Sequence, residues 1–456
     1  MKVRRPEPSF LALVTDTTAG GDGVARGADG KVIFVRGALA GEIVQARPLR
    51  GRRRYAEAAL EAIVVPSAAR LPPPCPVAGR CAGCCLQHLA GSAQLRTKEA
   101  EVLGLLARLG GVHPGRLEPT VTGPVWHYRR RARLSVDVRG GVPRVGFHTS
   151  GGRGIAAIDA CPVLVPPLHP LPRAVAEFVA EASRPERIPQ VEIAAGDERA
   201  TAVFRFLTPP DDADRRRLAA FGTTYGLDVY LQEGGPETLC ALADPPPPYP
   251  DYALAAHDLR LTFSPLDFVQ VNAMINAALV DHAVRTLDPT SGDEILDLYC
   301  GIGNFALPLA RRGSRVIGLE LSPSAIACAT ENARRHGLDN RTRFHVADLT
   351  RPEGWQALPP PRRGGRRSVL LDPPRSGAGT LLPRLGELGV ERLLYVSCRP
   401  ATLARDAAAL VHEHGFRLDT LRLFDMFPHT EHIEAAAFFV RARPGDGIGG
   451  RVDPLQ

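Results

Sequence analysis

Asp297-Leu298-Tyr299-Cys300-Gly301-Ile302-Gly303-Asn304-Phe305 decides the fold. An apolar run ends here in an acidic residue, and two glycines then let the backbone turn and let a ligand come close before a helix opens. Outward from this point the chain alternates strand and helix patterns. Strands are predicted at 294–299, 315–320, 342–347, 368–371, 392–397, 418–423 and 435–440, with helices between the first six. The helix after Glu320 is punctuated by Ser322 as N-cap, Pro323 in its first turn and Gly337 past its end. No helix separates the last two strands, which implies one antiparallel hairpin on an otherwise parallel, Rossmann-like α/β sheet.

Ligands of such sheets bind at the carboxyl ends of the strands. Gly301-x-Gly303-x-x-Ala306 also fits a dinucleotide fingerprint, so a nicotinamide dehydrogenase is the first rival. Three features favour S-adenosylmethionine instead. Asp297 can take a methionine ammonium, Asp348 stands where an adenine amino group needs an acceptor, and Asp372-Pro373-Pro374-Arg375 ends the fourth strand. Glu320 ends the second strand, placed to bond ribose hydroxyls. Taken singly, each carboxylate is better read as a helix cap. In register at successive strand ends they point to a cofactor pocket.

Tyr395-Val396-Ser397-Cys398-Arg399-Pro400 puts a cysteine at the end of the fifth strand, where a helix N-terminus would favour its thiolate. A free cysteine is usually a small buried hydrophobe, and Cys240 and Cys328 read that way. Pro428-His429-Thr430-Glu431-His432-Ile433-Glu434 enters the last strand with Glu434 available as a base, against the blander reading of a surface ion pair.

The whole chain has 456 residues, enough for about three domains. Charged residues are 23% and hydrophobic residues 44%, which excludes collagen, coiled coil and bulk disorder. No apolar run reaches the roughly 18 residues of a membrane span or the core of a signal peptide, so a cytoplasmic protein with no membrane partner is expected. Lys and Arg exceed Asp and Glu by 56 to 49, and the only lysines are Lys2, Lys31 and Lys98. Arginine forks onto phosphate, which favours a polyanionic partner.

Residues 1–66 read as short strands separated by glycines, a small all-β barrel. Its segment 47–54 holds five arginines in eight residues beside Tyr55, either an RNA-facing edge or a solvated loop. A helix is predicted over 93–109, burying Leu95, Val102, Leu105, Leu106 and Leu109. Residues 125–240 look mostly β and include the basic run 129–133, whose arginines, like those of 50–54, are expected to neutralise RNA phosphates. Between barrel and helix lie Cys75-x5-Cys81-x2-Cys84, and Cys161 follows far downstream. Four thiolates suit zinc or an iron–sulfur cluster, and spacing alone leans to zinc. Cys85, next to Cys84, reads as a bystander.

Taken together, Asp-Pro-Pro-Arg, Ser-Cys-x-Pro and His-x-Glu make the sequence similar to the RNA 5-methyluridine methyltransferases, especially the iron–sulfur members acting on 23S ribosomal RNA. The resemblance covers nearly the whole chain. It implies a TRAM/OB-like RNA-binding barrel at 1–66 and a central, mostly β domain at 67–250 with a 4Fe-4S cluster on Cys75, Cys81, Cys84 and Cys161, overturning zinc. A class I methyltransferase domain at 251–443 and a flexible tail at 444–456 complete it. It implies Gln270 of Phe268-Val269-Gln270-Val271-Asn272, Tyr299, Asn304, Glu320, Asp348 and Asp372 at the S-adenosylmethionine site, Arg375 on the uracil, Cys398 as nucleophile and Glu434 as base. Arg399 departs from the family's usual Asn. The implied reaction is methylation of uridine C5 through a cysteine adduct at C6. A transfer RNA substrate is the alternative to ribosomal RNA, and a non-catalytic RNA chaperone the alternative of another class. The chaperone would have no use for Cys398 and Glu434 together, and a DNA or small-molecule methyltransferase none for the barrel. No obligate protein partner is implied.

Overall fold

The computed structural model describes residues 8–152, 154–358, 360 and 365–442. The tail expected at 444–456 lies outside them. The chain forms two compact units. One comprises residues up to Val102 with Phe147–Ile158 and Phe427–His432. The other comprises Leu103–Gly146, Asp159–Met426 and the chain from Ile433.

In the first unit, the strands Phe10–Thr17, Asp22–Arg26, Val32–Arg36, Tyr55–Val65 and Ile43–Gly51 close in that order into a barrel. Its interior is filled by Ala12, Val14, Ala25, Val35, Ala38, Val44, Ala46 and Ala58, small side chains that suit a narrow bore. Asp22 and Gly23, among the glycines that separate the expected strands, themselves open a strand of this barrel, Asp22–Arg26. Glu42, fully buried, accepts from the amides of Leu39 and Ser67 and from Arg70 Nε and Nη2, tying the barrel to the segment that leaves it. Burial alone would raise its pKa, but these bonds hold the carboxyl below its ordinary range.

The helix Gly91–Leu105 follows, and its buried stripe differs from the expected one. Gln94, Lys98 and Val102 are buried at i, i+4 spacing, while Leu95 and Leu105 are partly exposed. The chain then tightens into a π turn, Leu106–Gly110, which rotates Leu109 outward to 61% exposure.

The second unit holds two large sheets besides the two-stranded pair Asp251–Leu254 and Leu259–Thr262. In one, Cys240–Ala241, Leu227–Gln232, Ala200–Arg205, Gln190–Ala195 and Arg131–Asp137 are successive neighbours. The basic run is built into this sheet. Arg130 bonds Asp197 at 3.2 Å and lies over the Tyr252 ring, and Arg131 and Arg133 share the buried Glu192. The expectation that these arginines neutralise RNA phosphates is therefore corrected. Only Arg133 keeps most of its side chain in solvent, and even that is paired.

The other sheet has eight strands: β1 (Arg116–Val121), β2 (Glu294–Leu298), β3 (Arg315–Glu320), β4 (Thr342–Val346), β5 (Arg367–Leu371), β6 (Arg392–Ser397), β7 (Phe416–Phe424) and β8 (Glu434–Arg441). Their order is β4-β3-β2-β5-β6-β8-β7-β1. β8 runs antiparallel to both β6 and β7, as the missing helix predicts, and the neighbours from β4 to β6 are parallel. Two features were not expected. β1 comes from the region read as central and pairs with β7 in parallel. Between β4 and β5 the described chain has a short 3₁₀ turn, Pro352–Ala357, in place of an α-helix. The helices that link the other successive strands from β2 to β7 are Ala306–Arg311, Pro323–Arg335, Leu382–Glu387 and Pro400–His412. Ser322 caps the second of these, its Oγ accepting from Ala325 N at 3.2 Å. Among the described residues, no helix is long and apolar enough to cross a membrane.

Candidate active site

The parallel strands β2, β3, β5 and β6 all end on one edge, and chemistry-bearing residues stand at each end. Asp297 lies near the end of β2 and is fully buried, with neither carboxylate oxygen hydrogen-bonded. Burial and the Asp372 carboxylate push its pKa up to about 8, against the nearby Ala306 amide, which does not reach hydrogen-bonding geometry. Tyr299 then turns the chain with a φ of 69°, and its amide donates to Leu319 O. Burial raises the Tyr299 phenol to about 12. Gly318, inside β3, leaves room for this turn: a Cβ there would meet Phe344 and the Cys300 sulfur.

Glu320 ends β3 with one oxygen accepting from Gly301 N at 3.3 Å and the other from Ser322 N at 2.9 Å, so it braces the glycine turn against the next helix. Asn304 is engaged elsewhere. Its Oδ1 accepts from Tyr252 and Asn276, and its Nδ2 donates back to Asn276. Tyr252 and Asn276 carried no signal in the sequence. Asp348, two residues beyond β4, is turned onto its own loop, accepting from Thr350 N and Oγ1 and pairing with Arg351. The Thr350 hydroxyl and amide lower its pKa.

Asp372 follows β5 directly. Gln270 donates from Nε2 to its Oδ2 at 3.2 Å, so these two expected site residues meet. Burial raises the Asp372 carboxyl, with Glu320 adding to the effect and Gln270 opposing it. The loop that carries Arg375 is anchored behind the site. Buried Asp406 accepts from Tyr395 Oη at 2.7 Å and from Ala378 N at 2.9 Å, and Thr402 Oγ1 donates to Arg375 O. Gly377, with φ 83°, permits this closeness, since a Cβ there would strike Thr402 and Asp406.

Cys398 follows β6. The register pairs Ser397 with Ala435, and its next step sets Glu434 against Cys398. Glu434 is buried and its Oε2 has no hydrogen-bond partner. Burial and Asp372 raise its pKa far above a normal carboxyl, while Arg375 lowers it. The thiol of Cys398 is pushed up to about 11 by burial and by the charges of Glu434 and Asp372, with Arg375 opposing through charge and a hydrogen bond. The expected helix-dipole stabilisation of a thiolate is thus overridden in the resting site by two carboxylates and partial burial. Arg399 is exposed and occupies the N-cap position of the helix that begins at Pro400, without a side-chain capping bond.

Of the cluster cysteines, Cys75, Cys81 and Cys84 belong to the first unit and Cys161 to the second. Cys75 is buried and its amide donates to Gln87 Oε1 at 3.3 Å. Cys81 Sγ accepts from Gly83 N at 3.3 Å, and burial, with Cys75 nearby, raises its pKa. A cavity of about 660 Å³ in the first unit is lined by Cys81, Cys84, Cys85, Gln87 and His88 among others. Among the described residues, no group of three or more His, Cys, Asp or Glu side chains is placed to hold a metal ion. Cys240 is exposed, contrary to its reading as buried, while the Cys328 thiol is raised to about 12 by burial.

The family model for tRNA (Uracil-5-)-methyltransferase matches residues 252–442, and that for the TRAM domain matches residues 10–60. The 23S rRNA (uracil(1939)-C(5))-methyltransferase RlmD of Alkalilimnicola ehrlichii is 45% identical over 441 residues, 96% of this chain and 98% of that one. The protein of the same name from Thiobacillus denitrificans is 45% identical over 427 residues, 92% of this chain and 97% of that one. Among solved structures, the tRNA (uracil-54, C5)-methyltransferase of Pyrococcus abyssi in complex with S-adenosyl-L-homocysteine shares the fold. Its TM-score is 0.69 at 24% identity, covering 94% of this chain and 100% of that one.

Proposed function

The chain belongs to the RNA uracil-C5 methyltransferase family, and from that premise we propose how it works: it methylates C5 of a uridine in ribosomal RNA by way of a Cys398 adduct. The register that sets Glu434 against Cys398 carries the reading. C5 of a uracil is a poor nucleophile. Addition of the Cys398 thiolate to C6 makes C5 an enolate carbon, which then attacks the donor methyl. Glu434 afterwards takes the C5 proton, the electron pair re-forms the C5–C6 double bond, and the C6–S bond breaks to return the thiolate. Arg375 opposes the raised pKa of both groups and is proposed to hold the uracil.

S-adenosylmethionine supplies an electrophilic methyl group when bound. The unpaired carboxylate oxygens of buried Asp297 fit a cationic ligand, and Gln270, Tyr299, Asn304, Glu320, Asp348 and Asp372 are proposed to complete that site. Asn304 and Asp348 must give up or share present bonds to do so. The two bacterial relatives at 45% identity are named for uracil 1939 of 23S ribosomal RNA, and we assign this chain to the equivalent uridine. Mapping 5-methyluridine in RNA from a deletion strain tests the assignment. Loss at that 23S uridine with transfer RNA intact is expected, and the reverse pattern overturns it.

Cys75, Cys81, Cys84 and Cys161 are proposed to hold a 4Fe-4S cluster. The buried Cys75, the Gly83 amide on the Cys81 sulfur and the adjoining cavity support this donor set. The cluster takes no part in the chemistry above. Anaerobic preparation should yield brown protein with iron and sulfide, and stoichiometric zinc without iron removes the proposal.

A further inference from the structure

We propose that Gln94 and Lys98 are positioning residues for the base Glu434: they lock the turn 427–432, which leads into β8, and so govern proton removal from C5. The proposal rests on the reading of Glu434 as base. Both residues lie within the first unit together with the turn they bind.

The helix Gly91–Leu105 buries an amide and an ammonium where an amphipathic helix buries apolar groups. Lys98 is 1% exposed and donates from Nζ to Phe427 O at 3.0 Å. Burying a lysine is costly unless its charge meets an acceptor. Gln94 is 4% exposed and grips the turn from both ends of its amide. Its Oε1 accepts from His429 N at 3.0 Å, and its Nε2 donates to Leu86 O and Leu89 O and faces His429 Nδ1 at 3.2 Å. Leu86 N in turn donates to His429 O at 2.9 Å. Within the turn, Thr430 Oγ1 donates to Phe427 O and accepts from His432 N.

His429 sits at a φ of 65°, a conformation that a non-glycine residue keeps only when its surroundings enforce it. Glu434 is only two residues past His432, and its buried Oε2 has no hydrogen-bond partner to orient it. The backbone that delivers it therefore contributes to its aim, alongside the charge of Arg375. Nothing in this set of contacts touches Cys398 or the cofactor carboxylates, so its loss should spare adduct formation and methyl transfer and slow the last step.

The test uses the full chain, RNA carrying [5-³H]uridine and a labelled methyl donor, with the isosteric variants Gln94→Glu and Lys98→Met. Tritium released to water reports C5 proton loss, and label bound to RNA, free or in the adduct, reports methyl transfer. Tritium release should fall about tenfold or more with single-turnover methyl transfer within about twofold of wild type, and adduct should accumulate on denaturing gels. Lys98→Arg, which keeps a donor, should restore part of the release. Both steps falling by one factor, or neither changing, overturns the proposal. Glu434→Gln in the same series separates the two readings. If it releases tritium at the wild-type rate, Glu434 is not the base and this inference falls with that reading. If it traps adduct while Gln94→Glu and Lys98→Met do not, only this inference falls.

Discussion

Cys398 stands one register step beyond Ser397, against Glu434, and the carboxylate opposes ionisation of the thiol. A nucleophile and a base held together as two potential anions hinder each other until one is consumed. Addition to C6 turns the sulfur into a neutral thioether, which removes one of the two charges before the base acts.

The thiol's raised pKa is directly measurable. Alkylation of Cys398 by iodoacetamide, followed by mass spectrometry, should quicken about tenfold per pH unit between pH 7 and 9 with no plateau there. A plateau below pH 9 contradicts a pKa near 11. Arg375→Gln removes the opposing cation, so alkylation at fixed pH should slow further. Faster alkylation in that variant would show that Arg375 does not stabilise the thiolate.

The two halves of the reaction should separate cleanly. Cys398→Ala should bind RNA and S-adenosylmethionine and transfer no methyl group. Glu434→Gln should add, accept the methyl group and stall as enzyme joined to methylated RNA. A denaturing gel with labelled donor distinguishes them, and adduct formed by Cys398→Ala would remove that cysteine as nucleophile.

Asp297 links cofactor binding to protons. Its folded pKa of about 8 lies above the unfolded value near 3.8, so between those limits the folded state holds the extra proton and this group's contribution to stability falls as pH rises. Asp297→Asn should therefore raise the thermal midpoint of the free chain at pH 8, with the gain vanishing near pH 4. S-adenosylmethionine, a cation, should bind with release of about one proton at pH 7, seen as buffer-dependent heat in calorimetry. Heat independent of the buffer would count against Asp297 as a ligand of the cationic donor.

Arg52, Arg53 and Arg54 are exposed on the barrel, whereas among the arginines at 129–133 only Arg133 is. Replacing all three by Ala should weaken cognate and unrelated RNA alike and flatten the salt dependence by up to about 3 in log–log slope. An unchanged slope would make the segment an ordinary solvated loop.

Much of this was legible in the sequence where local rules and tertiary packing agree. Strand ends at 297, 320, 372 and 398 could be read because buried parallel strands are apolar runs with abrupt polar ends. β1 was hidden because Arg116, Glu118 and Pro119 interrupt it, a pattern tolerated at a sheet edge. The arginines at 129–133 looked like an RNA surface because charge in sequence does not reveal its partner, and Glu192 lies some sixty residues away. Gln94 and Lys98 escaped notice for the opposite reason: a helix that packs on backbone carbonyls needs donors, so its inner face looks solvent-facing.

The strand β1 completes its pairing only with β7, about 300 residues later in the chain, and the turn at 427–432 closes the first unit later still. During synthesis, therefore, neither unit can finish folding before residues 416–432 have left the ribosome. A transcript truncated there loses not a tail but the closing piece of both halves, and a cell would meet such a product as an unfinished protein for degradation rather than as a weakened enzyme.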